Sequence, residues 1–265
     1  MSFRYITEYF DDDRKKGRAV DLMAPANPTR ETAVFFVHGG GYRGGDRENF
    51  HTVKIAFNEM GYFCASTDYR LTGSDIFDQL ADVRDGYRFF LRFLEENGRP
   101  PKVTVFGTSA GAHLAGLLAL AKPGVCGEPK TGVADGVHAW VPPVGLALQA
   151  TPVTFEPWEE IFPPVWEAMQ DIVGKPYDEA PELYRKISLV NYVRPGICPV
   201  FMMEAECEHM FPRTMSADFA EKIRAAGGRA DFKVYATAEH GFIYDVARRV
   251  QKEAVADLAA FVESL

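Results

Sequence analysis

Hydrophobic and polar positions follow one another along this chain in two rhythms. Short apolar runs occur at "AVFFV" (33–37), "YFCAST" (62–67), "VTVF" (103–106), "PVFMM" (199–203) and "DFKVYA" (231–236). Runs of this length, bounded by turn-forming residues, predict buried strands. "HAWVPPVGLAL" (138–148) predicts another, interrupted by two prolines. Between the runs the period lengthens. Ile76, Leu80, Val83, Tyr87, Phe90 and Leu94 recur at steps of three and four, one face of a helix. Met215, Phe219 and Ile223 do the same, with Gly227 as a C-terminal stop. Val246, Val250, Leu258 and Val262 mark a final helix.

Strands alternating with helices predict an α/β fold: βαβ units in a mostly parallel sheet with helices on both faces. Ligands of such sheets bind beyond the carboxyl ends of the strands, so the chemistry is expected in the segments that follow them. One stretch departs from the rhythm. Residues 149–195 carry seven prolines and the aromatics Phe155, Trp158, Phe162, Trp166, Tyr177 and Tyr184. An ordinary connection is much shorter. This stretch is expected to be a cap-like insertion within a single domain spanning 1–265, its aromatics serving either as a binding wall or as core.

Composition narrows the partners more than the fold. With 265 residues, 47% hydrophobic and 25% charged, the chain can bury a substantial core and is far from the composition of disorder. A formal charge of −8 argues against nucleic acid or an anionic membrane surface as partner. A small-molecule substrate is the expectation that remains, and a homo-oligomer stays open. The four cysteines (Cys64, Cys126, Cys198, Cys207) show no C-x-x-C spacing. No apolar run reaches the roughly 18 residues of a membrane span, and the first 18 residues lack the apolar stretch of a secretory signal. A cytoplasmic protein with reduced thiols is expected. No metal-ligand spacing such as H-E-x-x-H occurs, so neither metal nor organic cofactor is expected.

Two glycine-rich segments carry candidate chemistry. "FFVHGGGYRGGDR" (35–47) follows the first predicted strand and holds five glycines, Gly39 to Gly41, Gly44 and Gly45. It lacks the G-x-x-x-x-G-K-[ST] order of a phosphate loop and only approximates a dinucleotide-binding fingerprint. "GTSAGAHLAGLLAL" (107–120) follows "VTVF" and reads G-x-S-x-G in strand–turn–helix context. A serine on a sharp, strained turn exposes its hydroxyl, and the glycines on either side let neighbouring backbone pass. Ser109 is therefore the candidate nucleophile. It needs a base, and the base an orienting carboxylate. His240, in "TAEHGF" just after "DFKVYA", has the required position and order. Among the other histidines, His38 belongs to the glycine segment, His51 to the helix after it and His113 to the helix after Ser109. His138 precedes a predicted strand, and His209 shares a turn with the candidate acids. That turn, after "PVFMM", offers Glu204, Glu206 and Glu208, which spacing alone does not separate. Asp78, Asp82 and Asp85 repeat at helical spacing near Arg84 and Arg88, and with Asp68 and Arg70 they are expected to form ion pairs rather than a reactive site.

The segments "VHGGGYRGG", "STDYRL", "GTSAGAHLAGLLAL", "ISLVNYVRPGICPVFMMEAECEHMFP" and "AEHGF" resemble the α/β-hydrolase fold. Within it they resemble the carboxylesterases related to hormone-sensitive lipase and to bacterial carbohydrate-ester and arylformamide hydrolases. The resemblance covers nearly the whole chain. In that family the acid turn reads H-G-x-x-D; laid on this sequence, the pattern puts Glu208 on the acid. Glu204, Ala205 and Glu208 depart from the family residues, which keeps Glu206 as a rival. The resemblance implies a Ser109–His240–Glu208 triad and an oxyanion hole from the N–H groups of Gly40, Gly41 and Ala110. It implies hydrolysis of short-chain acyl or aryl esters, with carbohydrate acetyl or feruloyl esters as a variant. A kynurenine formamidase-like hydrolase of N-formyl amides is the alternative, and a non-catalytic binding module on the same fold is a third.

Overall fold

The computed structural model describes residues 3–10, 17–71, 73–129 and 141–265. Among the described residues eight strands form one sheet in the order β1-β2-β4-β3-β5-β6-β7-β8. The strands are β1 (Arg4–Tyr9), β2 (Ala19–Ala24), β3 (Ala33–Val37), β4 (Cys64–Thr67), β5 (Val103–Thr108), β6 (Gly145–Gln149), β7 (Val200–Cys207) and β8 (Ala230–Glu239). β2 pairs antiparallel with both β1 and β4; every other pairing is parallel. Five predicted runs thus occupy β3, β4, β5, β7 and β8. The strand predicted over 138–148 begins only at Gly145, because Pro142 and Pro143 cannot donate to a ladder; residues 138–140 lie outside the described ones.

Helices cover both faces: α1 (His51–Glu59) and α7 (Arg249–Glu263) on one, α2 (Ile76–Glu96), α3 (Ala110–Leu120) and α6 (Arg213–Ala225) on the other. Pleating divides the central strand between them. Val34 and Phe36 of β3 pack with the α1/α7 cluster, whereas Phe35 and Val37 pack with the α2/α3 cluster. All six periodic residues of α2 are buried, and Asp75 caps the helix by accepting from the N–H groups of Phe77 and Asp78 at 2.9 Å. Gly227, with φ of 81°, follows the end of α6. Val246 lies in the loop before α7, which starts three residues later than the apolar spacing suggests. Among the described residues no helix is long and apolar enough to cross a membrane.

β1 and β2 are absent from the sequence reading for a physical reason. Asp21 interrupts the apolar run of β2, yet it is fully buried. Lys54 at 3.3 Å, Arg47 at 2.9 Å and the hydroxyls of Tyr5 and Thr7 surround its carboxylate, and together they hold it below its ordinary range against the upward push of burial. These partners come from three separate segments: β1, the turn at Arg47 and α1. The acidic residues of α2 are likewise scaffold, held in ion pairs as expected. Asp82 binds Arg70 at 2.7 Å and faces Arg18, while Arg84 reaches Glu128 at 2.7 Å.

Residues between β6 and β7 carry two more helices, α4 (Pro163–Val173) and α5 (Pro181–Ile187). Most of their aromatics are packed into the body. Phe155 stacks on His113 with centroids 4.3 Å apart, and Tyr184 is buried against Trp166 and Tyr177.

Candidate active site

The ends of β3, β5, β7 and β8 lie at the same edge of the sheet, so the segments after them converge. Ser109 sits between β5 and α3 with φ 53° and ψ −123°, a left-handed conformation costly for any residue with a side chain. It is held there from several directions. Its N–H donates to the Gln149 carbonyl at 2.8 Å, and its carbonyl accepts from His113 N–H at 3.1 Å. Gly111 is required sterically, since a Cβ there would come within 2.1 Å of the His38 carbonyl oxygen.

His240 Nε2 lies 2.9 Å from Ser109 Oγ, and its Nδ1 lies 2.9 and 2.8 Å from the two carboxylate oxygens of Glu208. Nδ1–H donating to the carboxylate leaves the Nε2 lone pair facing the serine hydroxyl. The Glu208 side chain is fully buried. Burial alone would raise its pKa, but the bond to His240 and the backbone N–H groups of Met210 and Phe211 outweigh it and hold the carboxyl below its ordinary range. The neighbouring glutamates do other things. Glu206 accepts from the Thr237 N–H at 2.7 Å, bracing the irregularity where β8 has extra residues opposite β7. Glu204 is buried beside Glu208, hydrogen-bonded to Ser216, and burial pushes its carboxyl up to about 8.

The glycine loop faces this group. Gly40 has φ of 121°, and a Cβ on it would strike the Gly44 carbonyl at 2.2 Å. Among the described residues the N–H groups of Gly40 and Gly41 have no hydrogen-bond acceptor, and that of Ala110, first in α3, has none within its helix. Gly44 and Gly45 lead to Asp46, whose side chain accepts from Glu48 N–H at 2.9 Å.

Several contributors carried no signal readable in advance. Tyr42 follows the loop, is buried, and places its hydroxyl 3.0 Å from His113 Nδ1, while His113 Nε2 lies 2.6 Å from the Ile187 carbonyl. Burial lowers His113 to about 4, so it is a neutral strut between the glycine loop and the α4/α5 segment. A cavity of about 470 Å³ opens over Ser109 and His240. Pro164, Val165, Ala168 and Met169 of α4 form one wall, Met210 and Phe211 another, with Phe162 exposed at the mouth. Of the six aromatics between β6 and β7 singled out by sequence, Phe162 alone lines this cavity, so the wall is aliphatic as much as aromatic.

An eight-stranded, mostly parallel sheet, with a strained serine at the β5–α3 turn and a histidine after its last strand, defines the α/β-hydrolase fold. The model of the BD-FAE family matches residues 20–223, and that of the dienelactone hydrolase family residues 185–264. The chain belongs to the BD-FAE family. It is 27% identical over 240 residues to Esterase LipQ of Mycobacterium tuberculosis, covering 89% of this chain and 55% of that protein. It is 24% identical over 247 residues to an acetylxylan esterase of Xylanibacter ruminicola, covering 91% and 47%. The chain thus spans about half the length of these curated relatives. A propionate-bound esterase from Thermogutta terrifontis superposes with a TM-score of 0.76 at 21% identity, covering 97% of this chain and 92% of that one.

Proposed function

We propose that this protein is a serine carboxylesterase. The observation that carries the reading is the Glu208–His240–Ser109 hydrogen-bond chain at the floor of the cavity. Ser109 Oγ attacks the ester carbonyl as its proton passes to His240 Nε2. Glu208 stabilises the imidazolium so formed, and the proton then goes to the departing alcohol. Charge developing on the carbonyl oxygen meets the N–H groups of Gly40, Gly41 and Ala110; each such donor is typically worth about 10²–10³ in rate. Water activated by His240 releases the acyl group from Ser109.

The segment between β6 and β7 acts as a cap over this centre within one domain. Its α4 side chains limit the apolar space, which favours short acyl or small aryl groups. The acetylxylan esterase among the relatives adds acetylated carbohydrate to the substrates worth testing. A fluorophosphonate probe is expected to label Ser109, located by peptide mass spectrometry, and Ser109→Ala to abolish the labelling. Folded protein that stays unlabelled would overturn the reading. A screen over p-nitrophenyl acetate to octanoate, acetylated xylo-oligosaccharides and N-formyl amides is expected to peak at the short esters.

A further inference from the structure

The cavity is apolar on the α4 side and differs at its opposite end. There it is lined by Gly39, Gly45, Asn49 and Tyr244. Tyr244 packs with the α1/α7 cluster, its ring 4.8 Å from that of Phe50, whereas Met169 of α4 belongs to the cluster on the other face of the sheet. A phenolic hydroxyl has one proton and can accept two hydrogen bonds. The Tyr244 oxygen accepts from Gly39 N–H at 2.7 Å, with the Asn49 side chain beside it. Burial pushes the phenol up to about 12, so the oxygen keeps its proton at neutral pH. One acceptor position is thus filled, and among the described residues nothing accepts the proton. The hydroxyl is also close to the reacting centre. A Cβ built on Gly39 would lie 2.9 Å from the Tyr244 oxygen and 3.1 Å from Ser109 Cβ.

We propose that Tyr244 is a specificity-determining residue. Its O–H donates to an acceptor oxygen that the substrate carries near its ester group, at the end of the cavity away from α4. The inference rests on the esterase reading above. It selects esters bearing an ether or hydroxyl oxygen over their all-carbon counterparts. The bond to Gly39 has a second consequence: it takes that N–H out of the cavity and steadies the peptide next to Gly40.

Two isosteric substrate pairs test this, each exchanging a methylene for an oxygen. On the acyl side the pair is p-nitrophenyl methoxyacetate and p-nitrophenyl butyrate. On the alcohol side it is 2-methoxyethyl acetate and butyl acetate. For each pair the ratio of kcat/KM, oxygen-bearing over all-carbon, is compared between wild type and Tyr244→Phe. The ratio should fall about three- to tenfold in one pair, the worth of one neutral hydrogen bond. The responding pair tells whether the oxygen belongs to the acyl or the alcohol part. Differences in intrinsic reactivity, and any common loss from a loosened Gly39, cancel in the ratio. An unchanged ratio in both pairs would overturn the proposal while leaving the esterase reading intact. A wild type that hydrolyses none of the four and resists the fluorophosphonate removes both. Should Tyr244→Phe fail to fold, 3-fluorotyrosine at position 244 keeps the oxygen and strengthens the donor. The ratio should then rise in one pair, and a fixed ratio sinks the proposal.

Discussion

The floor and the roof of the cavity are built by different means. The floor is fixed by backbone: Ser109 in a left-handed conformation, Gly40 and Gly111 where any Cβ would collide with a carbonyl, and Glu208 buried under its own turn. The roof is a helix laid on by side chains. α4 begins with prolines in its first turn, has no side-chain cap, and ends at Gly174 in the left-handed region. An exposed ion pair, Arg43 to Asp171, joins it to the glycine loop, and such pairs contribute little. Tolerances differ accordingly. A shift of an ångström in the floor separates reacting atoms, whereas a change in the roof alters the volume available to a substrate. Floor variants should therefore be read in kcat and roof variants in KM.

The largest effect expected is that of Ser109→Ala, which should lower kcat on p-nitrophenyl acetate by at least about 10⁴ without loss of fold. Retained turnover would place the nucleophile elsewhere and dissolve the distinction between floor and roof. Next comes the pair of turn glutamates. Glu208→Ala should cost about 10³–10⁴ in kcat, and Glu206→Ala, which removes only a brace on β8, less than about tenfold. Steady-state kinetics on both variants gives the order, and a reversed order assigns the acid to Glu206. In the roof, Ala168→Phe should raise KM for p-nitrophenyl octanoate at least about tenfold while leaving kcat on the acetate within about threefold. Equal losses on both esters would mean that the roof also positions the chemistry.

The smallest effect on rate, within about twofold, is expected from Glu204→Gln, whose consequence lies in stability. Burial holds the Glu204 carboxyl up at about 8, so between pH 4.5 and 8 the folded chain keeps a proton that the unfolded chain has released. Stability from this group is complete below its ordinary value and falls as pH rises through that window. The glutamine needs no proton. Urea unfolding at pH 8 should show it more stable than wild type by on the order of 2–4 kcal/mol, and a gap that fails to narrow by pH 5 would contradict the assignment.

Legibility in the sequence followed the range of the interactions. The central strands, α2 and the serine turn were readable because each is specified within a few residues: an apolar run, a three-and-four repeat, a glycine on each side of Ser109. The pair β1 and β2 was not, because Asp21 looks like a surface residue until Lys54 and Arg47 are seen to neutralise it. The turn after β7 was partly readable. Its three glutamates are equivalent in the sequence and were separable only through family resemblance. In space they diverge completely, one buried beside Ser216, one bracing Thr237 and one against His240.

The sequence by itself determined the alternation of strands and helices, the strained turn at Ser109 and the glycine segment Gly39–Gly45. These depend on local dihedrals and on burial that a single segment can encode. Tertiary structure decided which glutamate meets His240, that α4 walls the cavity with aliphatic side chains, and that Tyr244 reaches Gly39 across 205 residues of chain. The reason is directional. Whether a side chain is buried can be read from its neighbours in sequence, but where its hydrogen bond points depends on groups that only the folded chain brings within 3 Å.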